Sequence, residues 1–229
     1  MKQNKAPIVI SVGGSLIVPE EINIYFLSEL KKLIDSKVKK GERFIIITGG
    51  GKTARNYQSA GKAITKLRSS DVDWLGIHST RLNSQLVKTI LLPHTEEVVV
   101  HDPHADIVFK KPVLIAAGWK PGWSTDYDAV LLAKRFGAKK LINLSNIDYV
   151  YDHDPRTHKN AVKIEQISWK NFRALIPKKW DPGLNSPFDP VASREAEKIK
   201  LSVAIINGQK IEEIEKFLSD KEFVGTLIN

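Results

Sequence analysis

The sequence predicts an α/β fold built on a mainly parallel, doubly wound sheet. Three observations predict it. Short β-branched runs alternate with amphipathic helical stretches, the first two runs each end in glycines that lead into a helix, and no repeat or long linker divides the 229 residues. Strands separated by helices are joined by crossovers, which put helices on both faces of a parallel sheet.

Ile8–Val12 reads as the first strand; it ends in Gly13-Gly14-Ser15, and a helix follows near Ile24–Lys39. Arg43–Thr48 reads as the second strand, ending in Gly49-Gly50-Gly51, with a helix from about Thr53 and another helical stretch over Asp73–Leu91. Strands are expected near Glu97–His101 and Val113–Ala117. The segment Gly118–Arg156 then reads as a glycine-bearing polar loop, a helix, a short strand and a second loop rich in acids. Such a unit sets two loops on one edge of the sheet, where small charged ligands bind. A helix near Asp189–Lys200 starts with an Asp189 N-cap and Pro190 in its first turn. A strand near Ser202–Ile206, a helix over Ile211–Leu218 and a tail, Gly225–Ile228, suited to an edge strand complete the pattern.

The bulk composition narrows the function. With 42% hydrophobic residues the chain can bury one sizeable core. It has no run of about eighteen apolar residues, so no membrane span is expected. The start, MKQNKAPIVISVGGS, has no secretory pattern, because its short apolar run meets glycines at once. The absence of cysteine excludes disulfides, thiolate metal sites and cysteine nucleophiles, and it is compatible with a cytoplasmic location. The formal charge of +9 reads first as a lysine-rich solvated surface, as in KKLIDSKVKK, and second as a field that concentrates a small polyanion. No basic stretch carries the interleaved aromatics of a nucleic-acid platform, so no nucleic-acid partner is assigned.

Both early glycine turns suit phosphate, since glycine admits close backbone approach and a following helix offers unpaired N–H groups. Lys52 and Arg55 strengthen the second turn. Neither turn is a P-loop or a dinucleotide fingerprint. Ser124, Thr125 and Asp126 sit at another helix start, and the three places together suggest a polyphosphate along one sheet edge. His101, Asp102 and His104 lie in VVVHDPHADIV, which breaks at Pro103, so a strand end followed by a helix cap is expected there and no metal site is assigned.

Six segments in order, VGGSLIVPE, TGGGKTARNY, DWLGIHSTRLN, GWKPGWSTDYDA, LSNIDYVYDHDPR and FDPVAS, resemble the amino acid kinase family and, within it, the archaeal-type uridylate (UMP) kinases. The resemblance covers nearly the whole chain. It implies a three-layer αβα sandwich, one domain over residues 1–229, with an acceptor-side lobe to about residue 115 and a nucleotide-side lobe from about 116. It implies ATP with Mg²⁺ held mainly by the nucleotide phosphates, a small phosphorylated acceptor, a place in pyrimidine biosynthesis, and a homo-oligomer, with a hexamer suggested. The implied catalytic set is Asp126, which orients groups at the transfer centre, with Arg55 and Ser15 near phosphate. Gly13, Gly14 and Gly51 are implied beside the transferred phosphates, and Gly49 and Gly50 at the junction with the acceptor. Asp73 matches the carboxylate that holds the acceptor ribose, Gly76 gives close approach, and Trp119, Gly122, Ser124 and Thr125 belong to the loop that wraps the acceptor. Ser145, Asn146, Asp148, Tyr151 and Asp154 match positions around the donor nucleotide.

Phosphoryl transfer needs alignment and charge neutralisation, and an acceptor phosphate is already ionised, so no general base is required. The chain departs from the family pattern in three places. Ser11 and Ser15 stand where many members carry lysine, Tyr149 where glycine is usual, and Arg194 where lysine is common. Trp119 and Trp123 flank Pro121-Gly122, either as packing and oligomer contacts or as a platform for a changed acceptor. The alternatives to a UMP kinase are a same-fold kinase for another small phosphate or carboxylate, and a non-catalytic nucleotide- or oxyanion-binding protein.

Overall fold

The computed structural model describes residues 5–178 and 186–229; the first four residues of the start read above lie outside it. Ile8–Val12 forms β1, Gly14–Ile17 a single turn α1, Ile24–Lys39 α2, and Phe44–Thr48 β2. Gly51–Ile64 forms α3, Ser69–Ile90 α4, Val113–Ala116 β3, Thr125–Phe136 α5 and Lys140–Ser145 β4. Two short hairpin strands, β5 (Val150–Tyr151) and β6 (Lys163–Ile164), precede β7 (Gln166–Ile167) and α6 (Trp169–Leu175). Then come α7 (Pro190–Lys198), β8 (Ser202–Asn207), α8 (Ile211–Leu218) and β9 (Thr226–Ile228).

The main sheet has the order β3-β2-β1-β4-β8-β9-β7, and its first five strands are parallel. Period-2 alternation splits each central strand between two cores. Ile10, Val12, Phe44, Ile46, Ile142 and Leu144 face α2, α8 and the C-terminal part of α4. Val9, Ile45, Ile47, Leu141, Val203 and Ile205 face α5, α6 and α7. The result is the expected three-layer αβα sandwich. Among the described residues no helix is long and apolar enough to cross a membrane.

Three expectations need correction. Glu97–His101 is not a strand; only Thr95 and Val100 bridge to Val113 and Ala116. The Glu96 carboxylate takes the backbone N–H groups of Lys110 and Lys111, which draws the chain off the sheet edge and leaves Val98 exposed. The turn after it is not a helix cap: Asp102 Oδ1 accepts the His104 N–H at 2.8 Å within a local turn. The tail is a strand but not an edge, because β9 runs antiparallel to β8 and parallel to β7, which covers its far side.

Candidate functional site

The chain runs outward from β1 through β2 to β3, then crosses back to place β4 on the other side of β1. That reversal makes the C-terminal ends of β1 and β4 the topological switch point, the usual ligand crevice of such sheets. Two polar residues sit there inside apolar strands. Ser11 and Asn143 are register partners across β1 and β4 and face the same side. Both reach Asp126 Oδ1 at 2.9 Å, Ser11 through its hydroxyl and Asn143 through its side-chain amide. Asp126 Oδ2 accepts the Asp189 N–H at 3.3 Å.

Asp126 is placed by helix capping. The Ser124 side chain accepts from the Tyr127 N–H and starts α5 one residue before Thr125, so Asp126 lies in the first turn. Asp189 caps α7 in the same way, accepting from the Ala192 N–H, with Pro190 following as expected. Burial and then the neighbouring Asp189 raise the Asp126 carboxyl to about 7. The residue as a whole is only half-buried, but its carboxyl oxygens are turned into protein donors. A carboxyl group so occupied organises its surroundings: Oδ1 already holds two donors, and Oδ2 holds one backbone donor.

The two glycine turns lie against each other beside this point. A Cβ on Gly14 would sit 2.1 Å from the Gly51 nitrogen and 2.6 Å from the Gly49 carbonyl carbon. Gly51 also has φ +64°, the left-handed region. Glycine is therefore required here by backbone packing before any ligand is considered. Helices α1 and α3 begin at these turns, so their first-turn N–H groups lack helical acceptors and suit an anion, apart from Leu16 N–H, which Gly13 C=O takes, and Lys52 N–H, which Val18 C=O takes. Asn83 of α4 holds the second turn from behind, donating to Gly49 O at 2.8 Å and Gly50 O at 3.3 Å. Gly50 packs on Ala54 and Ser79, and a Cβ on Gly76 would meet Gln58 at 3.1 Å, so both glycines serve the α3–α4 contact. Ser15 is half-buried in α1; Arg55 is exposed in the second turn of α3 and, among the described residues, forms no ion pair. Lys52 is taken by Glu20 at 2.9 Å.

The loop 118–123 is clamped mainly by α4. Thr80 Oγ1 accepts the Gly118 N–H at 2.8 Å, Arg81 donates to Trp119 O at 3.2 Å, and Asp73 Oδ2 accepts the Gly122 N–H at 2.8 Å. Trp123 stacks on Tyr127 with centroids 4.3 Å apart, and Trp119 lies 6.4 Å from Trp123 at 25°. Lys120 Nζ sits 3.8 Å over the Trp119 ring. Asp73 thus joins α4 to the loop predicted to wrap the acceptor.

On the other side, Ser145 ends β4 and its carbonyl accepts the Gly208 N–H; exposed Asn146 follows. Asp148 accepts from Asn207 and Lys210, both at 2.8 Å, and Lys210 holds its carboxyl below the usual range. Tyr151 lies in the β5–β6 hairpin. Asp154 is exposed and forked by Arg156, which lowers its carboxyl to about 2. Tyr149 faces Lys163, whose Nζ lies 4.9 Å from the ring. A cavity of about 570 Å³ lies against β3, and its walls include Val98, Val100, Ile107 and Leu114.

A model of the amino acid kinase family matches residues 6–207. The chain belongs to the amino acid kinase family. Among amino acid kinases it is 30% identical over 230 residues to a uridylate kinase of Hyperthermus butylicus, covering 98% of each chain. It is 31% identical to a uridylate kinase of Methanococcus aeolicus over 97% of this chain and 99% of that one. The crystal structure of a uridylate kinase from Archaeoglobus fulgidus superposes with a TM-score of 0.82 at 29% identity, covering 97% of this chain and all of the other. Membership in the family fits the crevice as built: two glycine turns, a buried carboxylate and two polar loops meet at one switch point.

Sequence reasoning missed Asn143, Asn83, Asp189 as a neighbour of Asp126, and the Lys210–Asn207 pair. It also treated Ser11 only as a departure, although Ser11 is the Asp126 partner. The signal was present for two of them, since a lone polar residue inside IVISV or KLINLS faces a buried helix start.

Proposed function

We propose that this chain is an ATP-dependent nucleoside monophosphate kinase that transfers the γ-phosphoryl group of ATP to UMP in line. The observation that carries the reading is the Asp126 cluster, set between loop 118–123 on one side and the β4–β8 loops on the other. The uridylate kinases that match over nearly the full chain support it. In this reading residues to about 115 serve the acceptor and those from about 116 serve the nucleotide, in a cytoplasmic homo-oligomer.

The residues take these roles. The N–H groups of Gly14, Ser15, Gly50 and Gly51 receive phosphate oxygens, with Gly13, whose own N–H is held by the Leu144 carbonyl, giving the phosphates room to approach, and Arg55 swings from the α3 surface to neutralise charge on the transferred group. Asp73, fixed by Gly122, holds the acceptor ribose with its free oxygen, while Gly49, Gly76, Trp119, Ser124 and Thr125 shape the acceptor's path. Ser145, Asn146, Asp148, Tyr151 and Asp154 receive the donor nucleotide. Asp126 keeps Ser11, Asn143 and the α7 start in place and is not a general base. Because its oxygens are occupied, the chain suits a Mg²⁺ carried by ATP phosphates and water, and that ion would supply added charge neutralisation. The Trp119–Trp123–Tyr127 stack favours a second reading, a kinase of this fold for another small phosphorylated acceptor.

The test offers purified protein ATP and Mg²⁺ with UMP, CMP, other monophosphates and simple phosphorylated or carboxylated acceptors, and follows ADP release. UMP turnover that collapses in Asp73→Ala supports the proposal. Turnover with a different acceptor alone selects the second reading, and nucleotide binding without turnover of any acceptor rejects both.

A further inference from the structure

Asp128 has no part in the chemistry above. It lies two residues beyond Asp126 on α5, 1% exposed, where the neighbouring inward residues Ala129, Val130, Leu132 and Ala133 are all apolar. One carboxyl oxygen accepts the Trp119 N–H at 3.0 Å. The other is buried with no hydrogen-bond partner among the described residues. A half-satisfied buried carboxyl is costly, and an apolar side chain would fill the position without that cost. Stability gives no reason for an acid here. Its single hydrogen bond does.

Trp119 lies near the start of the loop 118–123, whose other hydrogen-bond fastenings, Thr80, Arg81 and Asp73, come from α4, while its far end is held to α5 by the Trp123–Tyr127 stack. Asp128 fastens it to α5, the helix that carries Asp126. It therefore fixes the spacing between the start of the loop and the transfer-centre carboxylate, at the end away from the chain's own join to α5 at Ser124.

We propose that Asp128 is a positioning residue for the acceptor: it touches no substrate, and through the Trp119 N–H it holds loop 118–123 at a fixed distance from Asp126. The proposal rests on reading that loop as the acceptor's. The charged and titratable groups around the tie are Asp126 on the same helix, Asp102 and His104 in the turn before β3, with His104 5.0 Å from the Trp119 ring, Asp189 at the start of α7, and Arg81 and Lys120 against Trp119. Burial, followed by Asp102, Asp126 and Asp189, raises the Asp128 carboxyl to about 7, although the Trp119 N–H pulls the other way. Below that pH the tie is neutral. Above it, the carboxylate is repelled by three acids while its bond from the Trp119 N–H strengthens, so the fastening of the loop changes as pH passes through neutrality.

Two variants and two readouts test this. Asp128→Asn keeps an oxygen for the Trp119 N–H and stays neutral; Asp128→Ala removes the tie. In ligand-free protein, Asp128→Ala should speed amide hydrogen exchange in residues 118–123 by ~10-fold, the loss of about one hydrogen bond, with β1, β2 and β4 unchanged and Asp128→Asn like the wild type. In steady-state kinetics, Asp128→Ala should raise the UMP KM by ~10-fold and leave the ATP KM unchanged. Asp128→Asn should remove the part of the UMP KM change between pH 6 and 8 that the substrate's own titration does not explain. Unchanged loop exchange in Asp128→Ala overturns the proposal, and so does a UMP KM that neither variant alters. If the wild type turns over no UMP, the kinase reading fails by itself, and the exchange measurement still decides whether Asp128 fastens the loop.

Discussion

Replacing Asp126 with asparagine should make the protein more stable, relative to the wild type, as pH rises. In the fold the carboxyl ionises near 7 instead of 3.8. A carboxyl raised in this way contributes its full stability below the unfolded value and loses it as pH rises through the folded one. With these two values, the loss relative to a permanently neutral group is about 1.7 kcal/mol at pH 5 and about 4 kcal/mol at pH 8. The asparagine would keep one oxygen for Ser11 and Asn143 and would give up only the long contact to the Asp189 N–H, worth about 1 kcal/mol. The stability difference between Asp126→Asn and wild type should therefore shift in favour of the variant by about 2.5 kcal/mol between pH 5 and pH 8. In melting temperature this is about 5–10 °C for a chain of this size. Urea denaturation at both pH values measures it, with Asp128→Asn as a control because the two carboxyls titrate as a coupled pair. A difference that stays constant from pH 5 to pH 8 would show that Asp126 is already ionised in the fold at pH 5, and the account of its role would fall.

Gly14→Ala should lower stability by about 2 kcal/mol or more, because the two turns must part by roughly 1 Å to admit the methyl group, and thermal denaturation would show it. Arg55→Ala should leave the melting temperature unchanged, since the side chain is exposed, yet reduce kcat by about 100-fold; an unaltered kcat would remove Arg55 from the transfer step. Asn83→Ala should cost about 1–3 kcal/mol by freeing the Gly49 and Gly50 carbonyls, read as a shift in urea midpoint at constant slope.

The sandwich was legible because its strands are short, apolar and punctuated. Ile8–Val12 and Ile211–Leu218 emerge with the bounds read from sequence, since an apolar run closed by glycines marks the first and a strongly amphipathic stripe marks the second. Where the sequence misled, a side chain competed with the ladder. Glu96 captures two backbone N–H groups across fourteen residues, which no local pattern reveals, so VVV reads as a strand and is not one. The tail was assigned to an edge because the two-residue strand that covers it, Gln166–Ile167, is too short to carry a period. Asp126 was legible from its place at a helix start. Its partners were not, because Ser11, Asn143 and Asp189 come from three distant parts of the chain and meet only through strand register.

The backbone contact between the two glycine turns bears on how such sequences are sorted by motif. A Cβ at Gly14 or Gly49 would strike main-chain atoms of the opposite turn with no ligand present. A descendant that lost all activity would still have to keep those glycines in order to fold. VGGS and TGGG are therefore signatures of ancestry and architecture, shared by working enzymes and silent ones alike. A screen meant to separate the two should weigh Arg55 and the free oxygen of Asp73, which the fold does not need.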